Sequence, residues 1–351
     1  MSTLTQQLST AWQQAVDANK LINSFEAAAD DPAGQWRRTD TITFGVCTQQ
    51  GKAQPGKAQP GKNVYYAHNL TQSRPILGAV EEKIIPDLGF VCQYNGYRAL
   101  RPGGQLKPLG KQVAISAAPE RCRFSCRDAS DPLSLLVRNP LLTVALSNYA
   151  WNIYYNAAPI DPNGHYLLVP TDNSVLTHYP QKLSVAFVED AVSLFHQFEG
   201  AALLFFNSLH SGASVNHIHF QAIARSSPLP AETWPLEEST QKTAQKYALL
   251  KNYPAKVMVF RKEVSPTDLF GHIHALQQRD IPFNLMLAGS RILLIPRNID
   301  HEIVAEFPGN GIAALGVCGK IITVDRQAYL NADKHRIASA FAKMTLSDSA
   351  W

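Results

Sequence analysis

Two imidazoles and a carboxamide recur at a spacing of two in the stretch SGASVNHIHFQ, as His217, His219 and Gln221, with Ile218 and Phe220 between them. Successive side chains of a β-strand point to opposite faces, so an extended backbone would put the three polar groups on one side and the apolar pair behind them. On a helix the same residues would scatter. Imidazole is mostly neutral near neutral pH and can serve as a nucleophile, a proton carrier or a metal ligand. A row of this kind therefore fits direct attack on phosphorus, a metal-ligand pair, or a polar strand face with no chemistry. The loop before it, Ser211-Gly212-Ala213-Ser214, offers closely spaced backbone N–H groups and two hydroxyls on small residues that let an anion come close. Gln221 adds an amide N–H that could meet phosphate oxygens.

The chain holds a second such pair, His272 and His274 in FGHIHALQQ. There the surrounding pattern is helical, positions i and i+2 diverge, and no Gly/Ser loop precedes them, so a solvated helix face is expected.

The elements that must position the first row follow from periodicity. Leu4, Leu8, Trp12 and Val16 predict an amphipathic helix within residues 4–25, and the Gly/Pro/Lys repeat GKAQPGKAQPGKN over 51–63 predicts a surface loop. Short strand-like pieces, VYYAH and GFVCQY, follow. WNIYYNAAPIDPNGHYLLVPT (151–171) reads as a hairpin with a long turn, and 180–200 as a helix with a broad apolar face stopped by Gly200. ALLFFN (202–207) reads as a buried strand, SLHSGAS as a polar loop and NHIHFQAIA (216–224) as the next strand. A second set follows: strand 253–260, helix 265–278, and a hairpin over FNLMLAGSRILLIPR (283–297). The fold class expected is α+β, an antiparallel sheet with packed helices in two related halves. The division expected is 1–115 as an N-terminal region, 116–235 as the half with the histidine row, and 236–351 as the second half.

The 351 residues suffice for a sizeable core, and 45% hydrophobic with 17% charged residues is ordinary for a globular protein. The balance of 32 basic against 28 acidic residues is too even to argue for a nucleic-acid partner. No apolar run approaches the roughly 18 to 20 residues of a membrane span, and the first residues lack the pattern of a signal peptide. Five cysteines, an odd number, fit reduced thiols, so the expected compartment is the cytoplasm.

Asn207, Gly212, Ser214, His217, His219 and Gln221 together resemble the N…G…S…HxHxQ signature of the nucleotidyl-transferring branch of the histidine-triad superfamily. GASVNHIHFQ is most similar to the GDP-hexose phosphorylases, NAAPIDPNGHYLLVP resembles a strand–turn–GHLLLVP segment shared by the branch, and FNLMLAGSRILLIPR resembles a stretch of the phosphorylases ending in IPR. The resemblance spans roughly residues 122–300. It implies a histidine-triad-like fold and transfer of a nucleoside monophosphate by a ping-pong route, with His219 as nucleophile, its other ring nitrogen donating to a backbone carbonyl, and His217 shaping the pocket. Asn207 would contact phosphate or leaving group. A glutamine in place of a third histidine is associated with transferases and phosphorylases rather than hydrolases. The implied substrates are a nucleoside-diphosphate hexose and inorganic phosphate; a dinucleoside polyphosphate is the alternative, and a non-catalytic nucleotide- or metal-binding protein the alternative from another class. The covalent step needs no cofactor. A divalent cation or structural zinc stays open, because some relatives carry a zinc-binding CxxC where this chain has Cys122 and Cys126 in RCRFSC, a CxxxC one residue longer, with His178 or His217 as further ligands; buried or unpaired thiols are the other reading. Arg297 is either a phosphate or nucleotide contact or a surface arginine. A homodimer is compatible with the resemblance.

Overall fold

In the computed structural model, the histidine row leads into an inner strand of a nine-stranded antiparallel sheet. The structure describes residues 3–17, 44–48, 63–67, 76–95, 140–156, 160–161, 164–171, 178–224, 227–237, 247–309 and 311–346. Helix α1 (Leu4–Asp17) opens the chain. Strands β1 (Phe44–Thr48), β2 (Asn63–Ala67), β3 (Ile76–Ile85) and β4 (Phe90–Asn95) form a five-stranded sheet with β14 (Lys320–Thr323), which runs parallel to β4. The large sheet holds β5 (Leu142–Ala145), β6 (Ala150–Tyr155), β7 (His165–Thr171), β8 (Ala202–Asn207), β9 (Phe220–Ala224), β10 (Ala248–Leu249), β11 (Met258–Arg261), β12 (Phe283–Ala288) and β13 (Arg291–Pro296). Its order is β10-β11-β13-β12-β8-β9-β7-β6-β5.

The order exposes the two related halves. Outward from the central pair β8–β12 come β9, β7 and β6 on one side, and β13, β11 and β10 on the other. Helix α2 (Val185–Gln197) precedes β8. After the one-turn helix α3 (Pro230–Thr233), helix α4 (Pro266–Gln278) precedes β12. Both α2 and α4 have 13 residues, and each is N-capped by a serine: Ser184 accepts from the Phe187 amide and Ser265 from that of Asp268. Each leads into a six-residue strand. The halves then diverge. Gly289 and Ser290 alone join β12 to β13, with Gly289 at a φ of 59°, whereas residues 208–219 join β8 to β9. Only the first half has room for a site at that turn.

Core residues cover both faces of the sheet, which is why ALLFFN and FNLMLA read as continuous apolar runs. Trp151, Phe206, Ile218, Phe220, Phe283 and Leu285 pack with α1, α2 and α4 on one face. Phe205, Ile223, Met286, Leu293 and Ile295 pack on the other with Phe307, Ile312 and Phe341. Each such side chain, fully buried, contributes about 1.5–3 kcal/mol.

The expected strand over 216–224 begins only at Phe220. The reason is where the preceding amides go: Ile218 N donates to Tyr179 O at 2.8 Å, and His219 N to the side-chain oxygen of Gln181 at 3.0 Å. The histidines stand ahead of the strand, on a segment that bends at 215–217 and is held from the side. The helix expected to reach residue 25 is described as far as Asp17, and the loop expected over 51–63 lies almost wholly outside the described residues.

Candidate active site

At the end of β8 the chain makes a turn whose polar groups are largely spent on itself. Ser208 Oγ accepts from Phe283 N at 2.9 Å and donates to Leu209 O at 3.0 Å. Ser211 Oγ lies 2.7 Å from Phe283 O and 2.8 Å from Ser208 O, and Ser211 N donates to Ser208 O at 3.2 Å. The expectation that Ser211 faces a phosphate is thereby corrected: its hydroxyl and its amide both build the turn. Gly212 has a φ of +104°, and a Cβ there would stand 2.7 Å from the Ala313 Cβ, so only glycine fits. Its amide donates to Glu302 Oε1 at 3.2 Å. Ala213 is buried and Ser214 half-buried, which leaves Ser214 as the more accessible of the two loop hydroxyls.

Ile218, Phe220 and Ala222 pack into one core cluster, as an alternating strand would place them. Residues 215–217 bend, however, and His217 and His219 are buried as well, so the segment is not a strand with one polar and one apolar face. Ile218 and Phe220 are fully buried, with the Phe220 ring 5.5 Å from Trp151 and 5.6 Å from Phe206. Gln181 acts as a side-chain substitute for a neighbouring strand. Its oxygen takes the His219 amide, its nitrogen donates to Asn207 O at 2.8 Å, and its own amide donates to Asn216 Oδ1 at 2.8 Å. It thus ties the end of β8 to the histidine segment.

Nδ1 of His219 lies 2.8 Å from the carbonyl oxygen of His217. A carbonyl only accepts, so Nδ1 carries the proton and Nε2 keeps its lone pair. Burial lowers the His219 pKa from 6.5 to about 4, against the raising effect of that same bond. Burial, then the neighbouring His178 and His219, lowers that of His217 to about 3. Both imidazoles are neutral at neutral pH. The His178 ring meets that of His217 edge-on at 4.9 Å.

Gln221 on β9 reaches His165 on β7, with its oxygen 2.9 Å from His165 Nε2. Ile160 N donates to His165 Nδ1 at 3.2 Å, so Nε2 carries the proton and donates to the Gln221 oxygen. Asn156 Nδ2 lies 3.2 Å from that same Nε2. With its oxygen so engaged, the Gln221 amide has N–H donors to present.

Asn207 is buried, and its oxygen accepts from Asn284 Nδ2 at 2.8 Å and Ala314 N at 3.0 Å. Arg297, expected as a phosphate or nucleotide contact or a surface arginine, is not a surface residue: it is 1% exposed. Its Nη1 donates to Asn284 Oδ1 at 2.5 Å and Ile312 O at 2.9 Å, and its Nε to Met344 O at 3.1 Å. Burial lowers its pKa to about 10, opposed by Glu302, so it stays cationic inside the protein.

The structure thus gathers His217, His219, Asn207 and Gly212–Ser214 around the β8–β9 connection, with Gln221 on the following strand. Cys122 and Cys126 lie outside the described residues, and among the described residues no group of three or more His, Cys, Asp or Glu is placed to hold a metal. His165, Gln181 and Asn284 were not singled out from the sequence. His165 and Asn284 lie in segments whose pattern was legible, NGHYLLVP and FNLML; nothing in the sequence marks Gln181. The arrangement offers a buried neutral imidazole of fixed tautomer, with the Asn207 and Gln221 amides on the two strands that its connection joins, which suits attack on a phosphorus whose oxygens such donors would hold.

Two models of one family match the chain: "GDPGP1-like, N-terminal domain" over residues 73–223 and "GDPGP1-like, C-terminal domain" over 230–351. The chain is 31% identical over 240 residues to GDP-L-galactose phosphorylase 1 of Arabidopsis thaliana, covering 62% of this chain and 52% of the relative. It is 29% identical over 299 residues to GDP-L-galactose phosphorylase 2 of the same plant, covering 77% and 68%. The chain thus spans about half the length of the first of these relatives. In fold it is similar to yeast Ap4A phosphorylase Apa2 in complex with AMP, with a TM-score of 0.56 at 14% identity over 99% of this chain and 97% of that one. The complex of the same enzyme with Ap4A gives 0.55 at 14% identity, over 98% and 97%.

Proposed function

The chain belongs to the GDPGP1-like family, and from that premise we propose that it is a cytoplasmic nucleotidyl-transferring phosphorylase of nucleoside-diphosphate hexoses. The reading rests above all on the bond between His219 Nδ1 and His217 O, which leaves Nε2 as a neutral nucleophile. Its lone pair attacks the α-phosphorus of a GDP-hexose. The N–P bond forms as the bond from phosphorus to the bridging oxygen breaks, and hexose 1-phosphate leaves with that electron pair. An oxygen of inorganic phosphate then attacks the same phosphorus, the N–P bond breaks, and GDP and the neutral imidazole result. Hexose 1-phosphate is a stable anion, so its departure needs no strong acid, which agrees with a His217 that is neutral at neutral pH. Charge in the transition state spreads over the equatorial oxygens, where the Gln221 and Asn207 amides and the remaining N–H groups of the 212–214 segment can meet it. The guanine and hexose come from the names of the relatives.

The test is a panel of GDP-hexoses and one dinucleoside tetraphosphate, each mixed with the protein without phosphate and analysed by intact mass. The expected result is one added GMP from a GDP-hexose, discharged as GDP when phosphate is supplied. An adduct of AMP from the dinucleoside tetraphosphate alone would favour that substrate class. Turnover with no adduct under rapid quench would replace the covalent route with single displacement.

A further inference from the structure

Asn207 can help a phosphate only if its carboxamide points the right way, and an amide can flip. Its orientation is settled from the other half of the chain. A guanidinium has only donors, so the Arg297 Nη1 contact at 2.5 Å demands that the Asn284 side chain turn its oxygen toward Arg297. The Asn284 amide nitrogen must then face the other way, where it meets two acceptors at 2.8 Å, Asn207 Oδ1 and the Ser211 carbonyl. That carbonyl can only accept, so both ends of Asn284 give the same assignment. Asn207 Oδ1 is therefore an acceptor, and the Ala314 amide at 3.0 Å fills its second lone pair. What Asn207 retains for a ligand is its NH2 alone. All three side chains are at most 3% exposed, so water does not compete for these bonds.

We infer that Arg297 and Asn284 are positioning residues that fix Asn207 as a donor toward the substrate phosphate, so that the second half of the chain sets the polarity of the phosphate site. This rests on the proposed function, in which Asn207 faces that phosphate. It also accounts for a buried cation at the end of β13 that contacts no surface. Asn284→Asp keeps shape and the Arg297 contact but replaces the donor with a carboxylate oxygen that repels Asn207 Oδ1, while Ala314 N still donates to it, so the Asn207 carboxamide is no longer held in one orientation.

The experiment is a double-mutant cycle of Asn284→Asp and Asn207→Ala, read in GMP affinity by calorimetry and in the rate of GMP-adduct formation, with circular dichroism as the check on folding. Each single variant is expected to lose at least about tenfold, the scale of a hydrogen bond to a charged group, and the double variant no more than Asn207→Ala alone. A purely structural role would instead give losses that multiply, and that result overturns the inference. Equal GMP affinity in wild type and Asn284→Asp also overturns it. A wild type that binds GMP but forms no adduct sinks the catalytic reading, while the cycle in GMP affinity still decides the positioning. If Asn284→Asp does not fold, Arg297→Lys replaces it: its weaker hold on Asn284 should give a smaller loss that disappears in the Asn207→Ala background.

Discussion

The side-chain oxygen of Gln221 lies 2.9 Å from Nε2 of His165, an imidazole whose other nitrogen accepts from the Ile160 amide. Since Nδ1 accepts, Nε2–H must donate, and the carboxamide is held with its N–H groups free to turn to a ligand. His165→Ala should therefore lower adduct formation by roughly tenfold, the worth of one poorly oriented donor. His165→Gln, which can still donate to the Gln221 oxygen, should recover part of that. Equal losses in both folded variants would show that the ring acts instead through its stacking on Phe205, 6.4 Å between centroids.

His219→Ala should lower turnover by at least about a thousandfold, the range seen when a nucleophile is lost, while GMP still binds. His219→Gly leaves a space beside the His217 carbonyl into which free imidazole fits. Added imidazole should restore part of GDP-hexose consumption by carrying away the GMP group. Adduct formation by His219→Ala protein would place the nucleophile elsewhere.

What the sequence disclosed and what it hid follow from the reach of each interaction. The helices, the buried strands and the polar loop come from local periodicity, and the loop and histidine row stand within fifteen residues of Asn207. Gln181, Asn284 and Arg297 act across the fold, and no local pattern marks an amide that bonds a backbone 38 residues away, as Gln181 does with His219. Arg297 read as a surface or ligand arginine because a cation after LLIP has no local partner; its acceptors come from Ile312 and Met344. A serine hydroxyl likewise looks the same whether it faces phosphate or, as at Ser211, the carbonyl of Phe283.

The second HxH pair serves as an internal control. His272 lies on α4 with its ring 5.4 Å from Tyr247 and 5.1 Å from Phe260, and His274 is exposed one half-turn on. Replacing both with alanine should leave kcat/KM within about threefold, since the proposed mechanism gives neither a transition-state contact. A hundredfold loss in a folded double variant would move the site to α4.

Asp190 on α2 is buried and receives the Asn148 and Tyr149 amides at 3.3 and 3.0 Å and the Trp151 indole N–H at 2.9 Å. It anchors the β5–β6 turn to the helix layer. Asp190→Ala strands these donors and should cost about 3 kcal/mol, read as a lower urea midpoint at unchanged slope. The turn sits at the Thr171 end of β7, away from His165, so kcat of the protein that remains folded should not change. A stability loss too small to resolve would mean that other acceptors serve the turn.

The buried imidazoles fix how the protein responds to acid. Burial holds His219 at about 4, against its bond to His217 O, and burial with His178 and His219 holds His217 at about 3. Unfolded, both take up a proton near about 6.5. Above that value neither state binds the proton and the stability is fully present. As pH falls below about 6.5 the unfolded chain gains protons that the folded chain refuses, and stability drops by about 1.4 kcal/mol per pH unit for each histidine until its folded pKa is reached. The melting temperature should thus be level between about pH 8 and 7 and fall steadily below about 6.5. His217→Asn should remove part of that slope. The chemistry should behave oppositely. Because His219 stays neutral in the folded protein, and the pyrophosphate of a GDP-hexose keeps its charge over this range, single-turnover adduct formation should show no break near pH 6.5. A rate that halves at about pH 6.5 while the protein is fully folded would mean that His219 titrates as an ordinary exposed histidine, and that its buried arrangement is not the reacting one.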